Sequence, residues 1–288
     1  MRGDCSELIP ATPREGFARV FTWYTRRLLR KRFHRVHITP RSTAMLAELD
    51  EFDGPAVMCC THASWWDPLV ALHFQRGLLG RRIHFSPIDS QQLRRFGFFR
   101  KLGLFGIDPD SASSVAAMKE YIDGLRRVHP RLTLGITPQG RFTDVREPIR
   151  IRPGAAAVAA GMPNVRVVVA AIEYAFWQDA RPSVFVHAME VEPPTRRSTT
   201  GWHRAIQSSM QRAADELAQL VIAREPAAFT IAIGPKEGRA SDVNRVHGLW
   251  LRLRGRSGEI GSSREEAAVG TSRDRGEHSV AAAGGGGR

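Results

Sequence analysis

Between residues 55 and 233 short apolar runs alternate with amphipathic stretches, and this alternation limits the possible folds more than any other feature of the chain. PAVMCC (55–60), IHFSPI (83–88), LTLGIT (132–137), VRVVVAAI (165–172), SVFVHAME (183–190) and FTIAI (229–233) are too short for core helices and read as buried strands. LFGID is a further short extended piece. Helical patterns lie between them at 68–75, 89–103 (with Asp89 or Ser90 as cap), 111–127, 154–161 and 202–223. Strand and helix in alternation predict an α/β domain, a mixed central sheet flanked by helices over roughly residues 40–235, within a domain spanning 38–254.

The flanks differ from this middle. Residues 1–13 are polar and contain proline, and read as a flexible arm. Residues 14–37 read as a basic amphipathic helix: Phe17, Val20, Phe21, Tyr24, Leu28 and Leu29 recur at helical spacing, among Arg26, Arg27, Arg30, Lys31, Arg32 and Arg35. A short helix follows at 42–50. Residues 255–288 hold Gly, Ser, Arg, Glu and Ala with almost no large apolar side chain, a composition too poor in burial to offset ordering entropy, so a disordered tail is expected.

The formal net charge of +13 calls for an anionic partner: a membrane surface, a nucleic acid or a phosphorylated substrate. The densest run of cations lies in the 14–37 helix, and no recognisable nucleic-acid module is present. An anionic membrane surface is therefore the expected partner, and nucleic acid is not. No run of about 18 apolar residues and no signal-peptide pattern is present, so contact with the bilayer should be interfacial, as for a peripheral protein on its cytoplasmic face. Cys59 and Cys60 are adjacent on one strand, point to opposite faces and should stay reduced.

THASWWDPLVAL (61–72) carries the chemistry. His62 and Asp67, with four residues between them, stand between the end of a strand and the start of a helix, where ligand clefts form in open α/β sheets. A histidine there can take a proton from a hydroxyl while the carboxylate fixes its tautomer. This is the base and orienting acid of a hydrolase triad without its serine, which suits direct attack by a bound hydroxyl. Plainer readings stand beside it. Asp67-Pro68 is also a helix start with Asp at the N-cap, and His62 can be an ordinary loop histidine. Ser64 lacks the surroundings of a nucleophile, and zinc held by His62 with His73 or His84 lacks ligand spacing. In LTLGITPQGRFTD (132–144) a strand runs into Pro138, Gln139, Gly140 and Arg141; Gly140 admits close backbone approach and Arg141 can pair with a phosphate or carboxylate. A surface turn is the alternative.

Together these stretches resemble the PlsC-like lysophospholipid (glycerolipid) acyltransferase family. The family's His-x4-Asp motif corresponds to His62 and Asp67, with Ser64 between them. Its strand followed by Phe-Pro-Glu-Gly corresponds to Thr137-Pro138-Gln139-Gly140 with Arg141 next, in the Pro-Gln-Gly form of a bacterial subgroup. LGLFGIDPD (102–110) stands where the family has Gly-x-x-Phe-Ile-x-Arg, and a basic stretch leading to Gly-Ala-Ala corresponds to Arg150-Ile151-Arg152-Pro153-Gly154-Ala155-Ala156. The resemblance covers roughly residues 15–235.

The resemblance implies transfer of a fatty acyl group from acyl-CoA or acyl-carrier protein onto a lipid hydroxyl, as in a 1-acylglycerol-3-phosphate acyltransferase of phospholipid biosynthesis. His62 would be the base and Asp67 its partner. Ser64, Asp108, Pro138, Gln139, Gly140, Arg141, Arg150 and Arg152 would line the substrate sites, with backbone N–H groups near Gly140 facing the oxyanion. No metal or cofactor is implied beyond the acyl thioester. The sequence departs from the family where IDPD lacks the arginine associated with the acceptor's phosphate. Asp108 and Asp110 there suit sugar or polyol hydroxyls, so a glycolipid or glycosylated isoprenoid is the alternative acceptor. A non-catalytic membrane-binding module with the same fold is the alternative from a different class.

Overall fold

The structure, a computed structural model, describes residues 8–235. The expected tail at 255–288 and the first seven residues lie outside them. Seventeen elements follow one another, opening with α1 (Glu15–Arg32), β1 (Val36–Ile38), α2 (Pro40–Glu51), β2 (Ala56–Cys60), α3 (Asp67–Leu78) and β3 (Ile83–Asp89). Next come α4 (Ser90–Arg95), a 3-10 segment (Gly97–Leu102), β4 (Leu104–Ile107), α5 (Ala112–Val128) and β5 (Leu132–Ile136). The chain continues through α6 (Gly154–Gly161), β6 (Arg166–Ala175), β7 (Ser183–Glu190), α7 (Thr199–Ala223), a short 3-10 turn (Pro226–Ala228) and β8 (Thr230–Ile233).

The strands form one eight-stranded mixed sheet in the order β4-β3-β5-β2-β6-β7-β1-β8. The five strands from β4 to β6 run parallel; β7 turns back against β6, β1 runs parallel to β7, and β8 is antiparallel to β1. Strand alternation sends Val57, Cys59, Val167, Val169 and Phe185 into one apolar layer with Trp202, Ile206 and Leu217 of α7. Ala56, Met58, Cys60, Val168 and Val186 enter the other layer, with Leu29 of α1, Leu49 of α2 and Val70 of α3. Cys59 and Cys60 thus face opposite layers, both as free thiols.

Three expectations change. The expected helix at 14–37 stops at Arg32, and Val36–Ile38 is a strand held by β7 and β8. The 89–103 helix breaks at Phe96 into α4 and the 3-10 segment. The loose arm expected over 1–13 is fastened where it is described: Ile9 exchanges backbone bonds with Gly106 at 3.1 and 2.8 Å, and Thr12 N–H donates to Arg100 O at 3.0 Å.

Arg82 secures the ends of α2, β3 and β5. Buried at 4% exposure, its guanidinium donates to Thr133 Oγ1 at 2.7 Å and to the carbonyls of Leu49, Phe52, Gly54 and Leu132 at 2.6–3.1 Å. Burial lowers its pKa to about 10, which still leaves it charged at neutral pH.

Two histidines, His37 buried and His84 half-buried, make stability depend on pH. His37 of β1 stacks on Phe185 with ring centroids 4.8 Å apart, and burial, followed by the charges of Arg35 and His34, lowers its pKa to about 4. His84 of β3 faces Leu79 O at 3.1 Å through Nε2, and burial again lowers its pKa to about 4. Both are neutral in the folded chain, and the unfolded chain binds their protons first. Their contribution is complete above the ordinary histidine pKa near 6.5 and is lost as pH falls toward 4. Each costs up to roughly 3 kcal/mol by the lower end of that window. A thermal melt series from pH 7 to 4 should show Tm falling, with a shallower fall for His37→Phe; identical slopes for the two proteins would contradict this assignment.

Candidate active site

The loops after β2 and β5 and the end of β6 meet at the carboxyl ends of three adjacent strands, the place where an open α/β sheet forms a cleft. His62 and Asp67 are brought together there. His62 Nδ1 lies 3.0 Å from Asp67 Oδ2. Asp67 is the first residue of α3, and the N-cap is Trp66 without a side-chain cap bond. The carboxylate therefore does not cap the helix as the Asp-Pro pattern suggests; it turns back to its own loop. Ser64 N–H donates to Oδ2 at 2.8 Å, and Tyr174 Oη donates to Oδ1 at 2.6 Å.

Asp67 is 1% exposed, so these donors offset the desolvation of its charge. A carboxylate only accepts, which places the imidazole proton on Nδ1 and leaves the Nε2 lone pair as the basic one. Among the described residues Nε2 carries no protein hydrogen bond, and the His62 side chain is 18% exposed. The arrangement can take a proton at Nε2 and stabilise the resulting imidazolium through Asp67.

The β5 loop braces this pair from the other side. Gln139, buried, accepts the His62 backbone N–H on Oε1 at 2.8 Å and donates from Nε2 to Thr143 Oγ1. Thr143 N–H in turn donates to His62 O at 2.9 Å. The Gln139 amide thus clamps the histidine's main chain, where it accepts an N–H as a carboxylate would. Phe142 lies beside the imidazole with ring centroids 4.2 Å apart, yet is 58% exposed.

The remaining expected residues are placed as follows. Ser64 is half-buried, and its Oγ accepts the Trp66 N–H at 3.2 Å. Pro138 O accepts the Arg152 N–H at 2.8 Å. Gly140 has φ +69°, and a Cβ there would come within 2.9 Å of Arg152 Nε, so a side chain would meet both strain and crowding. The Gly140 N–H is bonded to Thr137 O at 3.0 Å, so that particular group is already used within its turn. Arg152 Nη1 pairs with Asp110 Oδ1 at 2.9 Å. Asp108 accepts the Asp110 N–H on Oδ1 at 3.1 Å, an Asx turn, and its own N–H donates to Ser114 Oγ at 2.8 Å. Arg141 is exposed, with Glu147 at 3.7 Å, and Arg150 is exposed.

Tyr174, Thr143 and Phe142 escape the sequence reading. Tyr174 lies beyond the expected strand end at 172, and only an aromatic with a polar tip at a strand terminus hints at it. Cys60 lies near Asp67, but burial and then that carboxylate's charge raise its pKa to about 12, which keeps it a neutral thiol. Among the described residues no group of three or more His, Cys, Asp or Glu could hold a metal ion. No family model and no curated protein matches the chain.

Proposed function

We propose that the chain is an acyltransferase that moves a fatty acyl group from acyl-CoA or acyl-carrier protein onto a lipid hydroxyl. The observation that carries this reading is the His62–Asp67 pair, with Nδ1 held at 3.0 Å by a buried carboxylate and Nε2 open. The Ser64 hydroxyl accepts the Trp66 N–H and makes no hydrogen bond to His62, which supports attack by a bound hydroxyl over an acyl-serine intermediate. In this mechanism the acceptor O–H donates to Nε2 as its oxygen attacks the thioester carbonyl carbon. The C–O bond forms and the C–S bond breaks. The imidazolium, stabilised by Asp67, returns the proton to the departing thiolate.

A glycerophospholipid such as 1-acylglycerol-3-phosphate is the leading acceptor by resemblance. A specific observation favours a second reading: Asp110 occupies the charge of Arg152, and a carboxylate at that place suits a glycolipid or other polyol better than a phosphate. Incubating the protein with palmitoyl-CoA and a panel of lysolipids and glycolipids, with lipid mass spectrometry as readout, decides between them. Acylation of lysophosphatidic acid in preference to glycolipids supports the first; the reverse supports the second; no acylated product from any hydroxyl lipid rejects the transferase reading.

No helix among the described residues is long and apolar enough to cross a membrane. The lipid acceptor is instead reached, in this reading, by peripheral docking on the cytoplasmic face. The apolar stripe of α1 is split between two faces. Leu29 is buried, and Phe17 and Phe21 lie against Phe98 at 6.3 and 5.8 Å, whereas Val20, Trp23 and Tyr24 point outward at 66, 64 and 51% exposure. Those three share their outward stripe with Arg27 and Lys31, beside Arg26 and Arg30, a pattern suited to a headgroup layer. Each basic residue near an anionic surface adds about 1 kcal/mol. Changing Arg26, Arg27 and Arg30 to glutamine should therefore weaken vesicle binding by roughly two orders of magnitude. Sedimentation with phosphatidylglycerol vesicles at low and high salt tests this, and equal binding to neutral vesicles would reject the electrostatic part.

A further inference from the structure

Tyr174 reaches the candidate site from a part of the sequence far from His62 and Asp67. It stands one residue before the end of β6, and its hydroxyl donates to Asp67 Oδ1 at 2.6 Å across 107 positions. The other carboxylate oxygen is shared between Ser64 N–H at 2.8 Å and His62 Nδ1–H at 3.0 Å. A carboxylate held only through Oδ2 can turn about its terminal torsion, which is soft. With Oδ1 also held, any such turn breaks a short, charge-assisted hydrogen bond.

The donor itself is fixed. The Tyr174 ring lies 5.7 Å from that of Phe33, which meets Trp66 edge-on at 5.1 Å, so the residues after α1 and before α3 wedge it in place. Burial first, then the charge and hydrogen bond of Asp67, drive the phenol's pKa up, so it remains a donor wherever Asp67 is ionised. The Ser64 side chain also lies beside the phenol and pulls its pKa the other way, more weakly than Asp67 raises it. Tyr174 touches no group that would react, and it acts on His62 through Asp67.

We infer that Tyr174 is a positioning residue for the His62–Asp67 pair: it aims Oδ2 at the imidazole and draws part of the carboxylate's charge away from it. This rests on the reading of His62 as a base, and the test separates the two. Tyr174→Phe, made in the full chain, keeps the ring and removes only the hydroxyl. The first readout is the ring Nδ1–H proton of His62 in NMR, assigned by its loss in His62→Ala. In Tyr174→Phe this resonance should move, and its exchange with water should quicken by roughly tenfold, the effect of one lost hydrogen bond to a charged group. The second readout is transfer from palmitoyl-CoA, where kcat should fall by a similar factor with the thioester KM unchanged. A thermal midpoint close to that of the original protein shows that the fold is kept.

A resonance and an exchange rate unchanged by Tyr174→Phe overturn the positioning role. A wild-type protein with no such protected proton overturns both this role and the reading of the pair. A proton that responds to Tyr174→Phe in a protein without transferase activity upholds the positioning role and removes only the proposed reaction.

Discussion

Replacing His62 by alanine is expected to lower acyl-transfer turnover by roughly 10²–10⁴-fold, the contribution of a positioned general base. The fold should survive. The bonds that knit the His62 loop to the β5 loop, from His62 N–H to Gln139 and from Thr143 N–H to His62 O, are made by main-chain atoms that alanine retains. The lost side chain is partly exposed and belongs to neither apolar layer. One cost remains, since Asp67 Oδ2 keeps Ser64 N–H but loses the ring proton. A drop in activity with a modest change in Tm fits the base role, whereas near-wild-type turnover in a folded His62→Ala protein contradicts it. Asp67→Asn should also be strongly impaired, because an amide can donate to Nδ1 and so favour the wrong tautomer.

The second large effect concerns stability. Arg82→Ala should destabilise the protein by roughly 3–5 kcal/mol, since several acceptors each lose a donor at about 1–3 kcal/mol apiece, offset in part because the guanidinium's own charge no longer has to be buried. Four carbonyls and the Thr133 hydroxyl lose donors at sites that water reaches poorly. Such a loss takes a large fraction of the 5–15 kcal/mol typical of a folded domain. Arg82→Lys should recover little, because one ammonium cannot reproduce the planar fork that reaches Leu49, Phe52, Gly54 and Leu132 together. Urea unfolding followed by circular dichroism measures both variants; a loss under about 1 kcal/mol for Arg82→Ala would show that the carbonyls find other donors.

The alternating architecture is legible in the sequence because parallel strands covered on both faces are written as continuous apolar runs. PAVMCC and VRVVVAAI need no tertiary information to be read as strands. Val36–Ile38 does: three residues beside a basic helical stretch carry too little pattern, and pairing with β7 and β8 decides their conformation. The split of α1's apolar residues between two faces also depends on tertiary contacts, since Phe98, which receives Phe17 and Phe21, lies in a different segment. At the site, His62 and Asp67 stand out as a candidate pair because they lie close in sequence. Spacing alone leaves a helix start and an ordinary loop histidine open, and only the neighbouring motifs favour the pair. Tyr174 does not stand out, because nothing local tells which strand end will face the Asp67 carboxylate. Gln139 is legible as part of a motif, but its inward turn toward the His62 backbone is a property of the folded loops.

In the proposed reaction a lipid hydroxyl, activated by His62, attacks an acyl thioester directly. The most direct measurement is a paired assay of CoA release and lipid ester formation from isotope-labelled palmitoyl-CoA, run with wild-type and His62→Ala protein, with and without lipid acceptor. Direct attack should give one labelled ester for each CoA released, dependent on the acceptor and strongly reduced in His62→Ala. Equal ester formation by the two proteins, or no ester from folded wild-type protein with any hydroxyl lipid, would contradict it.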